Sequence, residues 1–213
     1  MAILQKHQCD KMIKRLKSQG ITHSDVLDVM QRVPRHEFVD EALASHAYAD
    51  HPLPIGRGQT ISQPYVVARM TEALLAENKP TNVLEIGTGC GYQTAILAHL
   101  FEHVYTVERI RYLIDKAKKR LNKLQLYNVY YQYGDGYQGW TEHAPYQAII
   151  VTAAPEEIPN KLLDQLEING CLIIPVGQQG IGQQLLRIIR KRNEFEQHFL
   201  DAVSFVPLRV GID

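Results

Sequence analysis

The sequence predicts an α/β protein built on a doubly wound, mostly parallel sheet with an antiparallel edge. Short apolar runs that suit buried strands alternate with helical patterns between Asn82 and Val176. Two further strand-like segments, Gln183–Arg192 and Phe195–Leu208, then follow one another with a turn at Asn193. The alternation is typical of parallel strands joined by helices, and the adjacent final pair indicates the antiparallel edge.

Helical segments precede the first predicted strand and form a predicted N-terminal cap, residues 1–47. In the first of them, Gln5–Gln19, apolar residues recur at helical spacing. Thr22–Asp25 has the form of a capping box, which would open a second helix. Arg35–Ala47 is predicted to be a third, short helix.

The segment that follows the cap, residues 48–65, is predicted to be an ordered loop. Its prolines and glycines argue against regular structure. Its apolar residues indicate that it packs on the fold, since a solvated linker would not need them: Leu53, Ile55 and Ile61. Pro64 can open the next helix, and on an alternative interpretation Ser62 or Gln63 is only the cap of that helix.

The chain is organised around Asn82–Gln93, NVLEIGTGCGYQ. This stretch predicts a buried strand, a glycine-rich turn and a helix from about Tyr92 to Leu100, so that a ligand can approach the backbone closely. The spacing is G-x-G-x-G rather than the dinucleotide pattern G-x-G-x-x-G, and no Lys or Arg follows to meet a phosphate. We therefore expect a cationic or zwitterionic nucleoside near Glu85 and the turn residues Gly87, Thr88 and Gly89.

Acidic residues end the next two predicted strands. Glu108 ends the strand His103–Glu108 and lies 21 residues after Gly87, close to the offset of ~20 at which an acid meets ribose hydroxyls. Asp135 and Gly136 end the strand that begins at Asn128 and would border an adenine ring. The alternative is that these acids only cap strands and that the glycines only turn the chain.

Composition excludes several classes of protein. The 23 basic and 23 acidic side chains give zero formal net charge, which argues against a nucleic-acid partner. No unbroken apolar run approaches the ~18 residues of a membrane span, and the N-terminus lacks the apolar region of a signal peptide. The three cysteines, Cys9, Cys90 and Cys171, are too dispersed for a metal site and are expected to be reduced. We expect a soluble cytoplasmic protein.

A series of motifs carries a closer resemblance. PLPIGRGQTISQPYVVARMTEALL is followed by VLEIGTGCGYQTAILA, VERI, GDGYQGW, AIIVTAAPEEIP and FVPL, in order from about Asp10 to Arg209. The chain thereby resembles the bacterial protein-L-isoaspartate O-methyltransferases, which are class I S-adenosylmethionine-dependent enzymes with a seven-stranded, Rossmann-like sheet. The GQTISQP segment is far more specific than the generic glycine turn.

The resemblance implies methyl transfer from S-adenosylmethionine to the α-carboxyl of L-isoaspartyl residues in damaged proteins, which initiates their repair. The length of 213 residues suits one domain, residues 1–213, and we expect a monomer with an active-site loop at 48–65 and a cofactor-binding core at 66–213. The resemblance adds that FVPL borders the peptide site. It implies no metal, an active-site serine at Ser62, and cofactor contacts at Gln59, Thr60, Ile61, Ser62, Glu85, Gly87, Thr88, Gly89, Glu108, Arg109, Asp135, Gly136 and Thr152.

The residues are compatible with this chemistry. A carboxyl group with a reference pKa of ~4 is already ionised at neutral pH, so the acceptor needs no general base, and none is evident in GQTISQP. Ser62 is therefore assigned to positioning the carboxylate, and it lacks the G-x-S-x-G elbow of a serine hydrolase. A class I methyltransferase with another acceptor and a non-catalytic nucleoside-binding module remain the alternatives.

Overall fold

The computed structural model describes residues 2–76 and 80–213. Its N-terminal part contains α1 (Ala2–Ser18), α2 (Ser24–Arg32) and two short 3-10 helices, Arg35–Phe38 and Glu41–His46. The predicted third helix is therefore wrong as one continuous element. It is interrupted because Val39 takes an extended conformation that places its side chain in the core.

The N-terminus of α2 is capped by a side chain from a distant part of the chain. The capping box predicted at Thr22–Asp25 is wrong, because His23 is the N-cap residue and no local side chain caps the helix. Glu72 instead accepts hydrogen bonds from the backbone N–H groups of Thr22 and His23, each at 2.8 Å. A carboxylate at this position also interacts favourably with the helix dipole.

A short antiparallel hairpin, β1 (Leu53–Gly56) and β2 (Gln59–Ile61), stands where the sequence predicted an irregular loop. The prediction was wrong because the glycines fall at the turn itself, where Gly56 and Gly58 have φ angles of 91° and 69°. Arg57 lies between them, and its guanidinium carbon is 5.0 Å from the centre of the Tyr112 ring. The hairpin is packed on the fold, as predicted, since Leu53 and Ile61 are buried.

Helices and strands alternate through most of the remaining chain, and the last three strands follow one another without a helix between them. The helices are α3 (Pro64–Leu74), α4 (Tyr92–Leu100), α5 (Arg111–Lys123) and α6 (Asn160–Asp164). The strands are β3 (Asn82–Ile86), β4 (His103–Glu108), β5 (Val129–Tyr133), β6 (Tyr146–Val151), β7 (Leu166–Val176), β8 (Gln183–Arg190) and β9 (Phe195–Val203). Pro64 is the first residue of α3, and its missing N–H costs nothing there.

These seven strands form one sheet in the order β5-β4-β3-β6-β7-β8-β9. Pairing is parallel from β5 to β7, whereas β8 is antiparallel to both of its neighbours. The predicted fold class, a mostly parallel sheet with an antiparallel edge, is confirmed. Strand order reverses between β3 and β6, and ligands of such sheets bind at the carboxyl ends of the strands at this point.

The last segment of the chain leaves the sheet earlier than predicted. β9 ends at Val203, so that Phe205–Leu208 is not part of a strand of the sheet. Ala154, which follows β6, donates to the carbonyl of Val206 and accepts from the N–H of Leu208, both at 2.8 Å. These bonds bring the C-terminal segment to the carboxyl end of β6, beside the point where strand order reverses.

The helical cap and the sheet share one apolar core. Buried side chains of the cap, such as Met12, Met30 and Phe38, belong to the same cluster as Met70 of α3 and Ile96 of α4. A second, smaller cluster lies on the other face of the sheet, around α6. In the described ranges, no helix is long and apolar enough to cross a membrane. All three cysteines are buried.

A network of buried polar side chains lies in the sheet beneath its carboxyl edge. Glu85 of β3 is fully buried, and one of its oxygens accepts hydrogen bonds from the hydroxyls of Thr94 and Thr106, each at 2.6 Å. Because the hydroxyl of Thr106 donates to Glu85, it accepts from Thr88, also at 2.6 Å. Burial raises the pKa of Glu85 to about 8 despite the opposing effect of these two hydroxyls. The carboxyl group is therefore mainly protonated at neutral pH.

This shift should make stability depend on pH. The folded protein retains a proton that the unfolded chain releases above the ordinary pKa of 4.5, so stability is lost as the pH rises from there to about 8. The contribution of Glu85 reaches about 1.4 kcal/mol per pH unit. We expect Glu85→Gln to flatten the dependence of the unfolding free energy on pH, measured by urea titration at several pH values. Glu102→Gln, at an exposed site, is the control; equal slopes for both variants would contradict the assignment.

Candidate active site

A cleft opens at the carboxyl ends of β3 and β6 and encloses about 830 Å³, its open mouth included. Most of its lining comes from three separate parts of the chain: the hairpin with the loop that follows, the turns after β3, β4, β5 and β6, and the C-terminal segment 206–209. The cleft is therefore assembled by the fold and not by one local motif.

The turn after β3 requires glycine at its first position. Gly87 has a φ angle of 95°, and a Cβ atom there would collide with the side chain of Thr152. The hydroxyl of Thr152 donates to the carbonyl of Gly87 at 2.7 Å, which ties the turn to the end of β6. Gly87, Thr88, Gly89 and Thr152, all predicted as site residues, line the cleft together.

Glu108 presents a carboxylate to the cleft in a fixed orientation. One oxygen accepts the N–H of Gly89 at 2.8 Å, and the other accepts the N–H of Ile110 at 2.9 Å. Burial raises the pKa of Glu108, and these backbone N–H groups oppose part of that effect. A carboxylate oxygen has a second lone pair, so both oxygens can still accept hydroxyl groups of a ligand. This geometry suits the two hydroxyls of a ribose.

Asp135 and Gly136 occupy different environments although they are adjacent. Gly136 lines the cleft, and a Cβ atom at this position would collide with Ile86. The carboxylate of Asp135 is not part of the lining; it accepts the N–H groups of Tyr137 and Gly211, each at 2.9 Å. Asp135 thus holds the C-terminal segment in place, while the surface offered to a flat ring is that of Gly136.

Of two other predicted cofactor residues, one lines the cleft and the other does not. Arg109 lines the cleft, and its Nε donates to the carbonyl of Gly211 at 3.0 Å. Glu85 does not line the cleft, because β3 directs its side chain into the threonine network described above. The expectation of direct ligand contact at Glu85 is thereby corrected: its carboxyl group supports Thr88, through Thr106, from beneath the turn.

The hairpin contributes every residue predicted for it. Gln59, Thr60, Ile61 and Ser62 all line the cleft opposite the glycine turn. The backbone carbonyl of Ser62 accepts a hydrogen bond from Arg35 at 2.6 Å. In the part of the chain that the structure describes, the hydroxyl of Ser62 makes no hydrogen bond, so it can donate to a ligand.

Sequence reasoning missed some of the lining and one supporting residue. Tyr92 and Gln93 line the cleft, and their position directly after the glycine turn, at a helix N-terminus, could have indicated them. Val206, Pro207 and Arg209 line it as well, whereas the sequence indicates only the motif FVPL as a whole. Arg35 had no local signal, since it meets the site through contacts that are distant in sequence.

No group of three or more His, Cys, Asp or Glu residues suited to a metal ion occurs within residues 2–76 and 80–213. The residues that are present fit a nucleoside with a cationic tail. They provide a carboxylate for hydroxyls, a turn of exposed backbone and a glycine surface for a flat ring. S-adenosylmethionine has the chemical parts that these groups suit.

Comparison with known proteins agrees with this geometry. A family model described as protein-L-isoaspartate(D-aspartate) O-methyltransferase matches residues 7–212. Curated proteins named protein-L-isoaspartate O-methyltransferase are similar along nearly their whole length. One from Ectopseudomonas mendocina (strain ymp) is 56% identical over 202 residues, 95% of each chain. One from Pseudomonas aeruginosa is 55% identical, with 95% of each chain covered.

Solved structures show the same likeness. One named protein-L-isoaspartate O-methyltransferase superimposes with a TM-score of 0.86 and 28% identity, covering 95% of this chain and 67% of its own. A putative enzyme of that name from Plasmodium falciparum, in complex with S-adenosyl-L-homocysteine, has a TM-score of 0.81 and 29% identity, covering 93% and 97%. These matches confirm the predicted resemblance. The chain belongs to the protein-L-isoaspartate(D-aspartate) O-methyltransferase family.

Proposed function

We propose that the chain transfers the methyl group of S-adenosylmethionine to the α-carboxylate of L-isoaspartyl residues in damaged proteins and peptides, and so initiates their repair. Family membership supports the enzyme class, the methyl donor and the acceptor. The observation that carries the proposal is the placement of the Ser62 hydroxyl. It has no hydrogen-bond partner among the described residues and shares one cleft with the groups that suit a nucleoside, above all Glu108.

The protein groups have separate tasks in binding the methyl donor. We assign the ribose hydroxyls to Glu108, the adenine ring to the surface of Gly136, and the amino-acid tail to the turn Gly87–Gly89. Gln59, Thr60 and Ile61 cover the site from the hairpin. S-adenosylmethionine, when bound, supplies an electrophilic methyl group that leaves its sulfonium as an acceptor oxygen bonds to it.

The acceptor needs alignment more than activation. An isoaspartyl α-carboxylate is ionised at neutral pH, since its reference pKa is near ~4, and no proton has to move. The hydroxyl of Ser62 holds one carboxylate oxygen and leaves the other free to react. The protein therefore contributes in two ways. It fixes this geometry, and it excludes water from the carboxylate and the sulfonium, whose opposite charges cancel during transfer.

We also propose how the chain is organised and where it works. Residues 1–213 would act as one monomeric domain, made of the cap 1–47, the active-site loop 48–65 and the core 66–213. The shared core of cap and sheet supports this division into parts of one unit. The zero formal net charge supports a protein that binds no nucleic acid, and three cysteines, too few and too dispersed for a disulfide framework, support a reducing, cytoplasmic location.

The experiment that tests the function uses two short peptides that differ only in an L-isoaspartyl or a normal aspartyl linkage. Each is incubated with the purified protein and methyl-labelled S-adenosylmethionine. Base-labile label on the isoaspartyl peptide alone is the expected result. Absence of label from both peptides, while calorimetry shows that the methyl donor binds, would mean that the acceptor lies elsewhere.

We expect Ser62→Ala to reduce kcat on the isoaspartyl peptide by about 10- to 150-fold, the range for a hydrogen bond to a charged group. The affinity for S-adenosylmethionine should change less than about threefold, because we assign any cofactor contact of Ser62 to its backbone, which alanine keeps. Steady-state kinetics and calorimetry check the two values. Ser45→Ala, at an exposed site outside the cleft, is the control. Unchanged turnover in Ser62→Ala would contradict the positioning role.

We expect Glu108→Ala to weaken binding of S-adenosylmethionine by about 10- to 150-fold, because the ribose loses a charged acceptor. Asp115→Ala, an exposed carboxylate on α5, is the matched control and should bind normally. Calorimetric titration of both variants compares them directly, and an unchanged dissociation constant for Glu108→Ala would remove this residue from the ribose.

The same carboxylate should make binding sensitive to acid. Because burial raises the pKa of Glu108, affinity should fall as the pH decreases through that raised value, when the carboxylate is protonated. Glu108→Gln, which cannot titrate, should bind weakly and lose this part of the pH dependence. A pH profile of Glu108→Gln parallel to that of the unsubstituted protein would assign the titration to another group.

A further inference from the structure

We propose that Arg35 is a positioning residue for methyl transfer, because it fixes the backbone of Ser62 from beneath the cleft. The inference rests on the proposed function, since it concerns the alignment of the acceptor carboxylate. Arg35 belongs to the cap and does not line the cleft. Its effect on the reaction therefore passes through the residues that it holds.

The guanidinium of Arg35 joins the cap to the active-site loop. Its side chain is fully buried, with no exposed surface. Nε donates to the carbonyl of Ala47 at 2.7 Å, and Nη2 donates to the carbonyl of Ser62 at 2.6 Å. These two carbonyls lie on either side of the hairpin, so one rigid group fixes the points where the hairpin segment begins and ends.

The same guanidinium also contacts the helix that follows the glycine turn. Its central carbon lies 4.6 Å from the centre of the Tyr92 ring, over the face of the aromatic group. Tyr92 is the first residue of α4 and lines the cleft. The hairpin side and the glycine-turn side of the site are therefore set relative to each other by one cation.

A role in stability alone does not account for this arrangement. Among the described residues, no carboxylate forms an ion pair with Arg35, and burial lowers its pKa. Burying a charge without an opposite charge is expensive, and an apolar side chain of similar volume often packs as well or better. What a guanidinium provides instead is a planar set of donors with fixed directions, together with a face that stacks on an aromatic ring.

The anchored carbonyl determines the orientation of Ser62. With its C=O held by a short, charge-assisted bond, the peptide plane between Ser62 and Gln63 cannot rotate freely, and the direction of the Ser62 side chain is restricted accordingly. The glycine turn and Glu108, which we assign to the methyl donor, have their own backbone contacts. Loss of Arg35 should therefore impair turnover more than it impairs binding of S-adenosylmethionine.

The test compares Arg35→Lys, which keeps the charge without the planar fork, with Arg35→Met, which keeps only volume. For both variants we expect kcat on the isoaspartyl peptide to fall at least tenfold, while calorimetric affinity for S-adenosylmethionine changes less than threefold. Met30→Ala, a buried cap substitution away from the cleft, controls for lost stability. Assayed well below the unfolding temperature of every variant, it should keep the kcat of the unsubstituted protein.

A double-mutant cycle with Ser62→Ala gives a readout that a purely structural role would not move. If Arg35 acts through Ser62, Arg35→Lys should reduce kcat far less in the Ser62→Ala background than in the unsubstituted protein. Tyr92→Leu, which removes the aromatic face and leaves Arg35 in place, should also lower kcat, so the proposal remains testable where an Arg35 variant does not fold.

Different results would overturn different statements. Full kcat in Arg35→Lys, or losses that simply multiply in the double variant, would overturn the positioning role while leaving the proposed function intact. An inactive unsubstituted protein that still binds S-adenosylmethionine would overturn the proposed function, and the inference with it.

Discussion

The close contact between Gly87 and Thr152 is the constraint on which the geometry of the site depends. It lies where strand order reverses, between the carboxyl ends of β3 and β6, and it leaves no room for a side chain at Gly87. With the turn held by the Thr152 hydroxyl, Gly89 can donate to Glu108 on the neighbouring strand. The positions of the turn backbone and of the Glu108 carboxylate thus follow from the close approach of the ends of β3 and β6.

Groups that contact the cleft are supported by polar residues that do not. Glu85 and its threonines lie under the glycine turn, Asp135 holds the C-terminal segment, and Arg35 holds the loop at Ser62. Each is buried or partly buried and hydrogen-bonded to groups that are distant in sequence. The hydrogen bonds that these groups make form in only one geometry and so favour a unique arrangement of the site.

Elements could be predicted from the sequence where their local residue pattern agrees with their environment in the fold. The helix Tyr92–Leu100 and the strand His103–Glu108 were predicted at their observed boundaries, because glycines, apolar runs and buried positions coincide there. The hairpin was missed because prolines and glycines were read as breakers, although they occupy a turn and a short edge. Nothing local could reveal the cap supplied by Glu72, since its partners lie about fifty residues away.

The residues of the candidate site also fall into two groups, those that a local motif predicts and those whose contacts only the fold shows. Residues that face the cleft through a motif, such as Gly87, Glu108 and Ser62, were predicted individually. An acid beside a strand end can bind a ligand or the protein itself, and only the fold shows that Glu85 points into a threonine network and that the carboxylate of Asp135 accepts backbone N–H groups. Spacing in sequence gives the position of a side chain along the chain, and packing decides the direction in which it points.

The bridge made by Arg35 depends on the sequence at one of its ends only. Both of its acceptors are backbone carbonyls, those of Ala47 and Ser62, and every residue type carries a carbonyl. The acceptors therefore do not depend on the side chains at positions 47 and 62, whereas the planar guanidinium has to come from residue 35 itself. A hairpin segment of different sequence but the same backbone path would keep both bonds as long as Arg35 is present.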